Sequence, residues 1–379
     1  MNIGILGGGQ LARMLALAGI HLNHRFRVLD PSPGACAARV AKQIRGHWED
    51  RNALDQLMAT SDVVTFEFEN VPANSARYLA SQRAFFPPAQ ALEFAQDRLC
   101  EKQLFSSLGI PAAPFQRIDS ADDLSRSLAG IGIPAVLKRR TLGYDGKGQV
   151  VINSAKAAPD GWEQLGRTPC ILESKIHFRR EVSIIGVRGQ SGEMAFYPVS
   201  ENTHRDGILR YCIAHPIDPA QNEAQHYCQL ILEHLQYVGV LTLELFDTEQ
   251  GLVANEIAPR VHNSGHWTIE GAATSQFENH VRAILGLPLG ETSARGFSAM
   301  VNFISTIPRA QEVLAIPDAS FHDYGKSPRP GRKLGHATIC TQNSARAIQG
   351  LTQVLRLAVA HFQPREDAGV AALEPHHPF

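Results

Sequence analysis

The sequence predicts an α/β protein: a doubly wound parallel sheet, then a central α+β region, then a smaller α/β unit. Three observations carry this. Short apolar runs alternate with amphipathic stretches from Ile3 to Phe86. From Gln96 onward the runs come in neighbouring pairs, and a last strand–loop–strand–helix block begins at Gly296. The expected boundaries are therefore 1–95, 96–295 and 296–379, and 379 residues suffice for two or three hydrophobic cores.

In the first unit, the apolar run 3–6 meets Gly7-Gly8-Gly9-Gln10-Leu11-Ala12, then a helical pattern of Leu11, Leu15 and Ala18. A second run, 26–29, ends in Asp30. Strand, glycine turn, helix, strand and terminal acid satisfy much of the dinucleotide fingerprint. A nicotinamide-dependent dehydrogenase is therefore a rival reading, although Pro31-Ser32-Pro33-Gly34 follows Asp30 and nothing downstream resembles a hydride-transfer site. A third strand, 62–66, runs into Glu67-Phe68-Glu69-Asn70. Glutamates of equal parity at the carboxyl end of a parallel strand share one face, which predicts a working role for at least one; the plain alternative is a solvated strand end.

The central region opens with a charged helix over 97–105, stopped at Gly109 and Pro111. A strand over 133–138 ends in Lys138, among alternate apolar neighbours where a lysine is costly unless an anion meets it. Next comes Gly143-Tyr144-Asp145-Gly146-Lys147-Gly148-Gln149, whose glycines let backbone amides converge on a phosphate; the alternative is an ordinary glycine-rich turn. Residues 153–169 read as turn-rich, 170–176 as a strand leading to a polar link, and 181–187 as a strand opening on an acid. An amphipathic helix over 219–238 turns Tyr227, Leu230, Ile231, His234 and Leu235 to one side. If strands 240–246 and 252–257 pair as a hairpin in any register that places 244 opposite an even-numbered residue, Glu244 and Glu256 share one face. Two carboxylates among Leu, Val and Ile call for a divalent cation, and hard oxygen ligands point to magnesium; two solvated edge glutamates are the alternative. Arg260, His262, Asn263 and His266 follow in a stretch too polar for a packed loop, suited to small anions.

The last unit offers a strand at 300–304, a basic loop at 326–333 and a strand at 337–340. It ends in a helix over 344–362 with Ile348, Leu351, Leu355 and Val359 inward. With 36 Lys+Arg against 37 Asp+Glu, no global field argues for nucleic acid or an anionic membrane. Six scattered cysteines, no 18-residue apolar run and no leader pattern after Met1 lead us to expect a cytoplasmic protein with small-molecule partners.

Together these stretches resemble the ATP-grasp superfamily. GGGQLARM at 7–14, FEFENV at 66–71, GYDGKGQ at 143–149, ENTH at 201–204, APRVHNSGHW at 258–267 and GRKLGH at 331–336 further resemble its 5-(carboxyamino)imidazole ribonucleotide synthase family, with Ala12 where glycine is expected. The resemblance implies a Rossmann-like pre-ATP-grasp domain, an ATP-grasp domain and a small C-terminal domain. It implies ATP-dependent carboxylation of 5-aminoimidazole ribonucleotide by bicarbonate through carboxyphosphate, with magnesium (or manganese) as metal and a homodimer as assembly. For ATP it implies Arg98, Lys138, Gly143, Tyr144, Asp145, Gly146, Lys147, Gly148, Gln149, Glu173, Ser174, Lys175, Ile176, Glu181, His204, Asn255 and Glu256. The metal falls to Glu244 and Glu256, and bicarbonate chemistry to Arg260 and His262. Tyr144 and Asp145 would face the substrate junction. Gln10, Leu11, Glu69, Asn263, Lys326, Arg332 and Lys333 would hold the ribonucleotide. Formate-dependent glycinamide ribonucleotide and biotin-carboxylating ATP-grasp enzymes are the near alternatives; a nucleotide-binding sensor or dehydrogenase is the remote one.

Overall fold

The computed structural model describes residues 1–143 and 148–360, to which every count below refers. The first unit comprises β1 (Asn2–Leu6), α1 (Gln10–Ile20), β2 (Arg25–Asp30), β3 (Lys42–Arg45), α2 (Arg51–Ala59), β4 (Val63–Phe66), α3 (Ala73–Ala80) and β5 (Ala84–Phe85). The five strands form a parallel sheet in the order β3-β2-β1-β4-β5. β1 is central and almost wholly buried, as its uninterrupted apolar run requires. The order reverses between β1 and β4, so a ligand crevice opens at their carboxyl ends.

That crevice is shaped by two acids. Gly8 N donates to Asp30 Oδ2 and Gly9 N to Glu67 Oε1, each at 2.9 Å. Gly7 has φ +98°, and a Cβ there would lie 2.7 Å from Glu67 Oε1, so the turn is closed tightly on the carboxylate. Asp30 also accepts from Ser32 N at 2.8 Å. It is spent on holding the turn, which removes the main support for the dehydrogenase reading. The shared-face argument for Glu67 and Glu69 does not apply, because β4 ends at Phe66. Glu67 is buried under the turn, whereas Glu69 lies in the next turn and reaches Arg260.

The second unit contains α4 (Ala89–Gln96), α5 (Arg98–Ser107), β6 (Phe115–Ile118), α6 (Ala121–Ile131), β7 (Ala135–Arg139), β8 (Gln149–Ile152), α7 (Ala158–Gln164) and β9 (Cys170–Ser174). Asp97 caps α5 by accepting from Leu99 N at 2.9 Å. The strands form an antiparallel sheet in the order β6-β9-β7-β8. The stretch expected to be turn-rich holds α7, with proline in its first turn and Trp162 buried against Leu137, Ile152 and Leu172. Seven residues including Gly161 and Pro159 leave too little periodicity to reveal such a helix.

A nine-stranded sheet follows, built from β10 (Arg180–Arg188), β11 (Met194–Phe196), β12 (Ser200–Arg205), β13 (Ile208–Ala214), β14 (Gly239–Thr248), β15 (Gly251–Ala258), β16 (Phe297–Ile304), β17 (Ala319–Asp323) and β18 (Lys333–Thr341). Its helices are α8 (Gln221–His234), α9 (Thr268–Gly271), α10 (Gln276–Ile284), α11 (Ala310–Leu314) and α12 (Ser344–Ala360). The main path runs β15-β14-β10-β12-β13-β16-β18-β17, with β11 paired to β10. The C-terminal strands therefore extend the central sheet, Tyr211 pairing with Val301 across β13 and β16. Met300 faces the main core, while Ala299, Val301 and Phe303 face a separate cluster beneath α12.

Two helix faces differ from expectation. α8 buries Ala224, Cys228, Ile231 and Leu232, leaving His234 exposed. α12 buries Ala347, Leu351 and Val354, and Val359 is exposed. In both, the buried stripe includes small or centrally placed residues that a stripe drawn through the largest side chains passes over. Among the described residues, no helix is long and apolar enough to cross a membrane.

Candidate active site

Two strand hairpins form facing walls. On one, β7 delivers Lys138, whose Nζ donates to Glu173 Oε2 on the neighbouring β9 at 2.9 Å. Glu173 is 3% exposed, and a second ammonium, Lys102 Nζ on α5, lies 3.7 Å from the same oxygen. Burial by itself would raise the Glu173 carboxyl, but Lys138 and Lys102 outweigh it and bring it down to about 2. Glu173 Oε1 is buried without a protein partner among the described residues.

On the other wall, Glu244 of β14 pairs directly with Glu256 of β15, in the same-face arrangement the hairpin predicts. The register slips immediately after it, since Leu245 pairs with Ala254. Asn255 is the extra residue of a bulge, a device that re-aims side chains beside active sites. Arg98 NH1, at the start of α5, donates to Glu256 Oε2 at 3.0 Å. The two carboxylates are pushed apart in acidity. Burial, then Glu256, raise Glu244 to about 7; burial also opposes ionisation of Glu256, but Arg98 and Lys138 hold it below its ordinary value.

His262 closes this wall. Its Nδ1 accepts from Ser264 N at 3.3 Å, so its Nε2 bears the proton that points at Glu244 Oε1, 3.1 Å away. Burial, helped by Arg260 and Lys333, keeps the imidazole neutral, with its pKa well below the ordinary value. Gln276, at the start of α10, clamps the backbone of His262, accepting from its N at 2.9 Å and donating to its O at 2.6 Å. Arg260 NH2 meets Glu69 Oε2 at 2.8 Å, which joins this wall to the crevice of the first sheet. On the same sheet His204 Nδ1 sits 2.7 Å from Glu181 Oε2. Burial opposes its charge, but Glu181 and Glu244 prevail and raise its pKa.

The remaining expected residues divide. Lys326 Nζ hydrogen-bonds Gln10 Oε1 at the head of α1, which brings the C-terminal loop onto the glycine turn. Arg332 NH1 is turned to Ser327 O at 3.0 Å, and Lys333 opens β18. Leu11 is a core side chain, so only its backbone faces the crevice. Asn263 is buried and forms a reciprocal amide pair with Asn302, at 3.0 and 2.7 Å. His266, expected among the anion-holding groups, is 1% exposed and bonded to Asn263 and Tyr324. Gly148 and Gln149 form the return of the β7–β8 hairpin, where Gly148 O accepts from Arg139 N at 2.8 Å, and Gly143 precedes it. Ser174, Lys175 and Ile176 lead from β9 into the link, with Lys175 exposed. Tyr144, Asp145, Gly146 and Lys147 lie outside the described residues.

Comparison with known proteins places this geometry. Residues 1–96 match the ribonucleotide synthetase preATP-grasp domain, 103–277 the ATP-grasp domain, and 298–350 the phosphoribosylaminoimidazole carboxylase C-terminal domain. The N5-carboxyaminoimidazole ribonucleotide synthase of Pseudomonas aeruginosa is 51% identical over 339 residues, spanning 89% of this chain and 94% of its own. The chain belongs to the N5-carboxyaminoimidazole ribonucleotide synthase family. Among solved members of that family, the Thermus thermophilus synthetase is 50% identical, with a TM-score of 0.90 over 94% of this chain and 98% of its own. The Aspergillus clavatus synthase, solved in complex with ADP and 5-aminoimidazole ribonucleotide, is 31% identical with a TM-score of 0.87 over 95% of this chain and 98% of its own. The family fold, α/β with a pre-ATP-grasp, an ATP-grasp and a C-terminal domain, is the fold of this chain.

Sequence reasoning missed Glu101, Lys102, Ser264 and Gln276. Lys102 had a signal: Leu99, Lys102 and Phe105 recur every third residue, which puts the lysine on the inward stripe of its helix. Gln276 had none, since its partner His262 is 14 residues away across a loop.

Proposed function

We infer that the chain is an ATP-grasp ligase that carboxylates 5-aminoimidazole ribonucleotide with bicarbonate, consuming ATP and releasing ADP and phosphate, in purine biosynthesis. The observation that carries the residue-level reading is the facing arrangement of the Lys138–Glu173 pair and the Arg98–Glu256–Glu244–His262 chain across one cleft.

Bicarbonate is a poor electrophile. Its oxygen attacks the γ-phosphorus of ATP, the bond to the β-phosphate oxygen breaks, and ADP leaves carboxyphosphate behind. The 5-amino nitrogen of the ribonucleotide then takes the carboxyl carbon, phosphate departs, and the amine gives up a proton. Phosphoryl transfer of this kind asks for positioning and charge neutralisation rather than covalent help. Arg98 and Lys138 bind phosphate oxygens, with the glycines of 143–149 supplying backbone amides. Glu173 Oε1 is suited to accept from the adenine amino group, with Ser174 to Ile176 alongside; Glu181 takes the ribose hydroxyls, and His204 and Asn255 complete the nucleotide site. Arg260 balances the carboxyphosphate charge, and neutral His262 donates from Nε2. Tyr144 and Asp145 serve the substrate junction, with Asp145 the acceptor of the amine proton. Gln10, the backbone of Leu11, Glu69 and Asn263 orient the aminoimidazole, and Lys326, Arg332 and Lys333 hold its phosphate.

Glu244 and Glu256 fit a divalent cation: two hard oxygen donors face each other, and burial, then Glu256, raise Glu244 to about 7. No group of three or more His, Cys, Asp or Glu among the described residues is arranged to hold a metal alone, so the other ligands would be phosphate oxygens and water. Magnesium, with manganese as substitute, supplies charge neutralisation on the transferring phosphoryl group. A division at 1–95, 96–295 and 296–379, a homodimer and a cytoplasmic location belong to the same proposal.

The test is ADP release with ATP, bicarbonate and aminoimidazole ribonucleotide, each omitted in turn. Release requires all three. Release that ignores the ribonucleotide but responds to formate with glycinamide ribonucleotide would assign the chain to the neighbouring branch of the superfamily.

A further inference from the structure

The inner face of α5 carries two ionisable side chains where apolar ones would cost less. Glu101 and Lys102 are 2% and 1% exposed, packed alongside Leu99, Leu104 and Phe105. Charges buried to this degree cost several kcal/mol each unless paired and hydrogen-bonded, and apolar replacements of similar volume are often neutral or stabilising. What the two side chains touch explains why they are there.

β15 is the edge strand of the nine-stranded sheet, and its bulge at Asn255 falls just before Glu256. A bulge on an edge leaves backbone groups outside the ladder. Lys102 Nζ donates to Asn255 O at 2.7 Å and to Ala254 O at 3.3 Å, while Glu101 Oε1 accepts from Ile257 N at 2.6 Å. Adjacent residues of one helix thus grip the strand on both sides of Glu256. The same ammonium lies 3.7 Å from Glu173 Oε2, an ion pair to β9 of the opposite wall. One ammonium therefore connects the backbone that aims Glu256 to the carboxylate that holds Lys138.

We propose that Glu101 and Lys102 are positioning residues: they hold the β15 bulge in the shape that aims Asn255 and Glu256 at the nucleotide and register that strand against the Glu173–Lys138 wall. This rests on the reading of the cleft as the ATP site. Neither residue is assigned a nucleotide contact; both act through the backbone that carries Asn255 and Glu256. The bulge without its partners would relax toward a regular ladder, and a one-residue shift turns a strand side chain to the opposite face.

The experiment measures ADP affinity by calorimetry with saturating magnesium and with EDTA, the KM for aminoimidazole ribonucleotide, and the unfolding midpoint. The native protein comes first. If magnesium does not tighten its ADP binding, the ATP-site reading fails, whatever Lys102 does. Lys102→Met, nearly isosteric, is expected to lose roughly 10–100-fold of the affinity that magnesium confers, the range for residues that orient metal ligands. The KM for the ribonucleotide stays within about twofold, because the bulge does not reach that site. Lys102→Gln, which keeps an amide donor, falls between. A lysine serving the fold alone would lower the unfolding midpoint and leave the magnesium gain intact. The proposal is overturned by an unchanged gain, by equal losses for both ligands, or by failure of both variants to fold.

Discussion

Replacing Glu173 with glutamine isolates the charge that organises one wall of the cleft. The substitution keeps shape and removes the anion between two ammonium groups, Lys138 Nζ at 2.9 Å and Lys102 Nζ at 3.7 Å. Two routes give the magnitude. The carboxyl falls from an ordinary 4.5 to about 2, and at about 1.4 kcal/mol per pH unit this corresponds to about 3 kcal/mol of stability. Breaking a buried pair by removing one partner costs about 3–5 kcal/mol, because the other charge is left uncompensated. Glu173→Gln is therefore expected to lose about 3 kcal/mol at pH 7.

The pH dependence has a definite sign. A carboxyl depressed in the folded state contributes its full stability above the ordinary value of 4.5 and loses it as pH falls from there toward about 2. The difference between native protein and Glu173→Gln should thus stay flat from pH 7 to about 5 and close below. Trp162 packs in the same cluster as Leu137 and Leu172, the strand neighbours of Lys138 and Glu173, and its fluorescence, together with that of Trp48 and Trp267, follows unfolding. Urea titrations of both proteins between pH 7 and pH 3 make the measurement. A difference under about 1 kcal/mol at pH 7, or one that widens in acid, would refute the charge assignment.

Three further outcomes follow from the same contacts. Glu256→Gln should lower magnesium-dependent kcat/KM at least about 100-fold, the loss typical of a charge partner aimed at the reacting group, with an unchanged circular dichroism spectrum; full activity at low magnesium would remove Glu256 from the metal. Lys333→Ala should raise the ribonucleotide KM roughly 10–100-fold, as loss of a charged hydrogen bond does, and leave the ATP KM within about twofold; equal effects on both would take it out of the phosphate site. His280 bridges the units, accepting from Val240 N at 3.2 Å and lying 2.9 Å from Thr65 Oγ1, and burial lowers its pKa from 6.5 to about 3. The unfolded chain takes up a proton below pH 6.5 that the native state refuses until about pH 3, so stability falls by up to about 1.4 kcal/mol per pH unit between those limits; His280→Asn should flatten that slope in pH-dependent urea titrations, and identical slopes would exclude the bridge as its source.

The Glu244–Glu256 pair was legible because strand parity survives any register that opposes 244 to an even residue, and two acids of one parity among Leu, Val and Ile repel unless a cation lies between them. The bulge at Asn255 was not: nothing in Leu-Val-Ala-Asn-Glu-Ile marks an unmatched residue until a helix from 150 positions earlier grips the backbone around it. The charged helix at 97–105 misled for the complementary reason. It reads only as a charged helix, and Glu101 and Lys102 face inward because their partners are main-chain groups of β15, which sequence patterning does not identify. Non-local pairing also hid the continuity of the C-terminal strands with the central sheet, since β13 and β16 are separated by some 80 residues containing two other strands.

The same partners explain why so much charge can be buried in one cleft. Arg98, Lys102 and Lys138 meet Glu101, Glu173, Glu244 and Glu256, a set in which acids outnumber bases. Burial, against the pull of Lys102, raises Glu101 to about 8, and burial together with Glu256 raises Glu244 to about 7, so near neutral pH protons offset the surplus. Glu173 and Glu256, the two acids in direct contact with cations, remain ionised. The surplus of one acid is therefore covered by the proton on Glu101 rather than by a further basic residue, and Glu244 is left poised between its two forms. The Glu244 proton can leave when other positive charge arrives there, whereas an added lysine or arginine would stay and compete for the same carboxylate.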